Sequence, residues 1–159
     1  EDKNVVVFVH QVVFTRSEAI ARADIRLENY IKIINIEALT MLEMVKRDII
    51  PSVSDYVAEL CRNVASKQAV SGSIPCDSEK DVIAKLAELN DKTYKAAQQL
   101  ESHLKAIDKD DIKPASQSMA HVIIPDMERV RALVDGMETL TSSDFWPYPT
   151  YFDLLYSVK

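Results

Sequence analysis

The sequence predicts an all-α fold, an elongated antiparallel bundle of three long helices, and three observations support this prediction. Only 2 of the 159 residues are glycine, although hairpins and tight loops depend on glycine for backbone conformations with positive φ. Apolar residues recur at steps of three and four, which is the spacing of one helical face. The runs with this spacing are separated by segments rich in serine, aspartate, glycine and proline, which are typical of loops.

The first helix is expected over about residues 17–69. Thr15 followed by Glu18 fits a capping box, in which the two residues satisfy each other's backbone groups at a helix start. The apolar stripe behind it consists of Leu27, Ile31, Ile34, Ala38, Met41, Val45, Ile49, Val53, Tyr56, Leu60 and Val64. Pro51 lies inside this run and predicts a kink, because proline removes one helical hydrogen bond. Two helices that meet near Pro51 are the alternative.

Two further helices are expected over about residues 78–107 and 113–141. Ser78 begins a sequence that resembles a capping box, and Pro114 suits the first turn of the third helix. The stripe of the third helix consists of Met119, Ile123, Met127, Val130, Val134, Met137 and Leu140. Pro125 predicts a second kink, and hairpin geometry places it at about the level of Pro51. The residues that we expect to be buried are Leu27, Ile34, Ala38, Leu60, Leu86, Leu100 and Val130.

Segments of different composition flank the bundle, which we assign to residues 15–143. Residues 1–14 are rich in valine and phenylalanine and are interpreted as a lead-in segment from an upstream domain. The propensity of Val5–Val9 also allows a strand there. Residues 144–159 form a tail rich in tryptophan, proline and tyrosine.

The aromatic tail contains the residues that we single out as possible interdomain or subunit contacts: Trp146, Tyr148 and Tyr151. Prolines on both sides of Tyr148 hold the backbone extended, so that the aromatic rings are presented at low entropic cost. Two interpretations remain open. Either the tail folds back on the bundle, or it docks on a neighbouring domain or subunit, where Trp and Tyr are common anchors.

Charge and composition exclude several classes of function and partner. The net charge of −6 and the absence of a long basic run argue against a nucleic-acid partner. No apolar run approaches the roughly 18 residues of a membrane span, and no signal peptide is visible, so no membrane partner is expected. Cys61 and Cys76 are interpreted as free thiols of a cytoplasmic protein. The chain begins at Glu1 without methionine, as a segment of a longer protein would.

No pattern of residues predicts a catalytic, cofactor-binding or metal site. The histidines, His10, His103 and His121, lack the Glu-x-x-His and His-Glu-x-x-His spacings of metal-binding helices. The two cysteines lack zinc-ligand spacing, and two distant glycines cannot form a phosphate-binding loop. The residues alone therefore predict a helical bundle without visible chemistry. An independent helical interaction or ligand-sensing module is the alternative to a domain appended to an enzyme.

Particular runs of residues are more informative than the composition. Residues 27–30 (LENY), 34–42 (INIEALTML) and 46–53 (KRDIIPSV), together with residues 146–158 (WPYPTYFDLLYSV), form four such runs. The chain resembles the C-terminal region of type III glutamine synthetases, the large bacterial form, over nearly its whole length.

This resemblance implies a parent enzyme that joins ammonia to glutamate through a γ-glutamyl phosphate, with ATP and Mg²⁺ (or Mn²⁺). The family's catalytic residues belong to a barrel upstream, and none of its motifs falls on this sequence. The resemblance thus implies that these 159 residues form an inactive helical domain with a structural role. Its expected partners are the upstream catalytic barrel and neighbouring subunits of a ring-shaped homo-oligomer in the cytoplasm.

Overall fold

The structure, a computed structural model, describes residues 15–149 and 151–156, without the side chains of Tyr151 and Phe152. All regular structure in these residues is helical, which confirms the all-α class. The α-helices are α1 (Arg16–Met44), α2 (Ile50–Val70), α3 (Asp77–Ala106), α4 (Ile112–Ser118), α5 (Ile124–Glu138) and α6 (Tyr151–Tyr156). The predicted lead-in over residues 1–14, with its alternative strand, lies outside the described residues.

The prediction of three long helices is too simple. Two π-helices, Val45–Ile49 and Met119–Ile123, divide the first and third predicted helices, although the chain stays helical through both. The two long α-helices are α1 and α3, with 29 and 30 residues. At the start of α1 the predicted capping box is confirmed, since Thr15 and Glu18 bind each other's backbone N–H groups. The prediction that Ser78 caps the second helix is wrong, because α3 begins at Asp77 without a side-chain cap.

Each π-helix ends two residues before a proline. The Ile50 N–H donates to the Val45 carbonyl oxygen, and the Ile124 N–H donates in the same way to the Met119 carbonyl oxygen, five residues back. Pro51 and Pro125 follow directly. Proline has no N–H, and its ring crowds the carbonyl four residues earlier, so a wider turn suits the residues before it. The predicted bends of the helix axes at these prolines stay predictions.

The contacts between helices define antiparallel neighbours around α3. Between α2 and α3, Lys67 binds Glu79 close to the connecting loop, and Asn90 Nδ2 donates to Ser54 Oγ at 3.0 Å further along. Between α3 and α5, the side chains of Thr93 and Met137 meet. The connecting helix α4 packs mainly on α1. The helix α3 therefore lies between α2 and α5.

The two prolines do not lie at one level of the bundle, contrary to the prediction. Asn90 of α3 reaches the Ile50 carbonyl, whereas His103 of α3 contacts Asp126. Pro51 and Pro125 are therefore separated by about 13 residues along α3, or roughly 20 Å at the rise of an α-helix. This offset between the two prolines arises because the chain does not turn back along α3 at once. It first forms α4, which packs mainly on α1.

The predicted burial is correct near the centre of the bundle and fails toward the helix ends. Ile34, Ala38, Leu86, Leu100 and Val130 are buried. The other two predicted core residues, Leu27 and Leu60, are only half-buried. The first buried residue of α1 follows Leu27 in the next turn, and α2 contributes only one buried residue, well before Leu60. Both leucines thus lie beyond the region in which three helices meet.

Candidate functional site at the C-terminal segment

The chain reverses direction after α5 through a short hydrogen-bonded turn. The Thr141 N–H and hydroxyl both donate to the Met137 carbonyl oxygen, at 3.0 and 2.8 Å. The N–H groups of Phe145 and Trp146 then donate to the Ser142 carbonyl oxygen, at 2.9 and 3.0 Å. These bonds direct the residues that follow toward the start of α2. We call residues 145–149 the aromatic segment.

The first turns of α2 receive the start of the aromatic segment. The Ser52 hydroxyl donates to the Phe145 carbonyl oxygen. One helical turn further on, the Tyr56 ring packs against the Phe145 ring, with a centroid distance of 5.2 Å and an interplanar angle of 45°. Residues four apart lie on one face of a helix, so Ser52 and Tyr56 bind the backbone and the ring of the same residue.

The first π-helix receives Tyr148 through a hydrogen bond. The Tyr148 hydroxyl donates to Asp48 Oδ2 at 2.5 Å. Burial raises the pKa of Tyr148 to about 12, and the hydrogen bond to Asp48 and the charges of Asp48 and Glu43 act in the same direction. The environment therefore favours the neutral phenol, which is the form that can donate this hydrogen bond.

Of the three predicted contact residues, the structure describes the side chains of Trp146 and Tyr148. Trp146 and Tyr148 are half-buried and pack against the helical core, as the fold-back interpretation predicts. Tyr151 begins α6, and its side chain lies outside the described part of the structure. A contact of these three residues with another domain or subunit stays a prediction.

The residues that receive the aromatic segment were not identified from the sequence. Tyr56 was assigned to the apolar stripe, although its ring contacts Phe145. Asp48 and Ser52 resemble ordinary solvent-facing residues of a helix. Their position on both sides of Pro51 is the only local signal that could have indicated a special role.

A second polar contact joins α3 to α5. Asp126 is 6% exposed, and its Oδ2 atom lies 2.6 Å from His103 Nδ1. Arg129 is more distant, with 3.9 Å between its Nη1 atom and Asp126 Oδ1. The sequence analysis placed Met127 in the stripe, but Asp126 takes the buried position and Met127 is half-buried. The π-helix before Asp126 has a wider turn, which changes the residues of α5 that face the core. A pattern of strict three- and four-residue steps does not include this change.

An open groove runs between α1 and the last turns of α3. Its apolar floor includes Leu39, Leu42 and Leu104, and charged side chains surround it. Lys46 and Lys105 both donate to Glu101 across this rim. These two hydrogen bonds, with that of Lys46 the stronger cause, lower the pKa of Glu101 to about 2. The rim of the groove thus carries a fixed ion-pair network.

Residues 15–149 and 151–156 contain neither a cluster of metal ligands nor a helix that could span a membrane. In this range no three or more His, Cys, Asp and Glu side chains are grouped as a metal ion would require. The helices of the same residues are also too short or too polar to cross a membrane.

The fold and site define a class of protein, an all-helical bundle domain whose aromatic C-terminal segment packs on its own helices. A family model described as the glutamine synthetase C-terminal domain matches residues 1–68. The chain is 29% identical over 159 residues to a glutamine synthetase of Butyrivibrio fibrisolvens, in an alignment that covers 99% of the chain and 23% of that protein.

A second relative gives the same result with lower similarity. A glutamine synthetase of Bacteroides fragilis (strain YCH46) is 19% identical over 162 residues, with 99% of the chain and 22% of that protein covered. The chain therefore spans less than a quarter of the length of either relative. Together with the match over residues 1–68, these alignments support a fragment from the C-terminal domain of a glutamine synthetase.

Proposed function

We propose that the chain is the non-catalytic C-terminal helical domain of a type III glutamine synthetase, the large bacterial form, with a structural role in the assembly of the enzyme. One observation carries the proposal. Two glutamine synthetases align with 99% of the chain, yet only 23% and 22% of their own lengths are covered. The chain corresponds to one continuous part of a much longer enzyme in both cases.

The proposed parent enzyme is a cytoplasmic ligase that joins ammonia to glutamate at the expense of ATP, with Mg²⁺ or Mn²⁺. Its ATP, metal and glutamate sites belong to a catalytic barrel outside these 159 residues. The partners of the domain are that barrel and the neighbouring subunits of a ring-shaped homo-oligomer. The chain alone is expected to be inactive.

The packing of the helices supports a structural role. The side chains between the helices are mainly aliphatic, and those of Leu86, Leu100 and Met119 are completely buried. Polar contacts join neighbouring elements at the periphery, as in the bond between Tyr148 and Asp48. Interiors of this kind are close-packed and resist deformation, so the domain can present a fixed outer surface to a partner.

The absence of catalysis can be tested with the chain itself. The purified 159-residue protein, mixed with glutamate, ammonia, ATP and Mg²⁺ (and Mn²⁺ separately), is expected to release no phosphate above background. The full-length parent enzyme in the same buffer is the positive control. Formation of glutamine by the chain alone would show that the non-catalytic assignment is wrong.

The assembly role can be tested by deletion of these residues from the parent enzyme. We expect the truncated enzyme to lose its native oligomeric mass in light scattering, while circular dichroism shows that the remaining part is folded. Native mass together with full activity after the deletion would contradict the assembly role. Loss of the response to a small molecule, with the native oligomeric mass retained, would favour the ligand-sensing alternative.

A further inference from the structure

The side of α1 that faces the solvent carries a line of exposed aliphatic residues. Ile25, Ile33, Ile36 and Leu39 are 57%, 55%, 62% and 51% exposed. Isolated exposed aliphatic residues are common on protein surfaces. Four such residues on one helix form an apolar surface only if they share one face of that helix.

The four residues lie on one face of α1, opposite to the core. At about 100° per residue, they fall within an arc of roughly 120°. The buried residues Ile31, Ile34 and Ala38 lie on the other side of the helix. From Ile25 to Leu39 the line is about 21 Å long at the rise of an α-helix. The helix α1 therefore has two apolar faces, and the other described helices pack on the face that contains Ile31, Ile34 and Ala38.

The line continues into the groove between α1 and α3. Leu39 belongs to both, since the groove floor also contains Leu42 and Leu104. Charged pairs accompany the line, as in Lys32 with Glu28 at 3.6 Å. Apolar residues accompanied by charged residues are the usual anatomy of an interface between proteins.

The two related glutamine synthetases indicate which polypeptide could cover this face of α1. More than three quarters of the length of each relative lies outside the alignment, and the matching family is named as the C-terminal domain. The description of the family places such a domain toward the C-terminal end of a longer polypeptide. The family match covers residues 1–68, a range that includes all of α1 and ends within α2.

We propose that the line of Ile25, Ile33, Ile36 and Leu39 is the surface on which this domain docks against the preceding part of the same polypeptide. The inference rests on the proposed function, because the occupant is the remainder of the proposed parent enzyme. It adds the particular helix face that makes the contact. The apolar area of this face is then removed from water only in the full-length protein.

The test compares the full-length parent enzyme with the 159-residue chain. Ile36→Asp introduces a charge into the centre of the line, and Tyr94→Asp is the matched control, because Tyr94 is a large residue on α3 that is 47% exposed. Hydrogen exchange is measured for peptides that cover residues 25–43, and thermal unfolding is recorded for both proteins. Light scattering reports the oligomeric state of each variant.

The proposal predicts that amides in residues 25–43 exchange at least about tenfold more slowly in the full-length enzyme than in the chain alone. Ile36→Asp removes this difference and lowers the unfolding temperature of this domain within the full-length enzyme by about 2–4 °C. Tyr94→Asp does neither, and Ile36→Asp leaves the unfolding temperature of the chain alone unchanged.

Three results would overturn the proposal. Equal exchange in both proteins would show that the preceding polypeptide does not cover the face. Destabilisation of the chain alone by Ile36→Asp would show that the chain covers the face itself. A dimer of the chain that Ile36→Asp dissociates would identify a second copy as the occupant. The deletion experiment decides the assembly role separately, so that failure of this inference and failure of the proposed function are distinguishable.

Discussion

The Tyr148 hydroxyl donates a 2.5 Å hydrogen bond to the Asp48 carboxylate, although 100 residues separate the two along the chain. Asp48 lies in the π-helix between α1 and α2, and Tyr148 follows the last helix of the bundle. The bond therefore joins the C-terminal end of the described bundle to the irregular turn that precedes Pro51. It also places Trp146 against the helices.

Replacement of Tyr148 by phenylalanine removes only the donor of this bond. We expect the free energy of unfolding to fall by about 1 kcal/mol, because a hydrogen bond to a charged acceptor at a partly exposed site has about that value. Urea denaturation followed by circular dichroism measures the change. Tyr94→Phe is the control, since the Tyr94 hydroxyl accepts a hydrogen bond from Gln98 of the same helix in an exposed position. Equal effects of the two substitutions would contradict a stabilising role for the contact with Asp48.

The ionisation of Tyr148 gives a prediction for alkaline pH. Its pKa is raised from 10.0 to about 12, first by burial and then by Asp48. A group whose pKa is higher in the folded state stabilises that state below the unfolded pKa, and the contribution is lost as the pH rises through the folded value. The Tyr148 contribution is therefore complete below about pH 10 and disappears toward pH 12.

Absorbance at the tyrosinate band as a function of pH checks this prediction. A late tyrosine ionisation is expected in the wild-type chain, and this step should be missing from Tyr148→Phe. The stability difference between the two proteins should also shrink as the pH rises above 10. A late step that persists in Tyr148→Phe would assign the raised pKa to another residue.

Local periodicity was sufficient to predict the all-helical class and much of the central core. The steps of three and four placed Ile34, Leu100 and Val130 in the interior, where the structure has them. This success has a simple cause, because the spacing of residues on a helical face depends only on the geometry of a single helix. The capping box at Thr15 was equally predictable, since all its partners lie within four residues.

Features that depend on how helices are aligned could not be predicted in this way. The stagger of Pro51 and Pro125 depends on α4, which packs mainly on α1, and no local pattern encodes that choice. The burial of Asp126 depends on the π-helix before it and on the partner His103 in another helix. The bond between Tyr148 and Asp48 is equally remote in sequence. Contacts across the bundle therefore account for most of what the sequence reasoning missed.

The contribution of the central core is tested by Leu100→Ala. Leu100 is completely buried, so its replacement removes apolar contacts and leaves a cavity. A loss of about 2–5 kcal/mol in the free energy of unfolding is expected. Leu39→Ala, at a position that is 51% exposed, should cost far less in the chain alone. A near-zero change for Leu100→Ala would contradict the packing of α3 at the centre of the bundle.

The pair of His103 and Asp126 gives a last prediction, in which the chain supplies its own control. Asp126 is 6% exposed and lies 2.6 Å from the His103 ring, whereas His121 is exposed on the second π-helix. His103→Ala deprives a buried carboxylate of its nearest partner, which should lower the free energy of unfolding by about 1–3 kcal/mol. His121→Ala should have little effect. In the background of His103→Ala, the further change Asp126→Asn should restore part of the loss, because an amide is less costly to bury than a carboxylate that has lost its nearest partner. Chemical denaturation of the three variants and the wild type at pH 7 measures these differences. If His103→Ala and His121→Ala were equally harmless, the contact between α3 and α5 would have no role in stability.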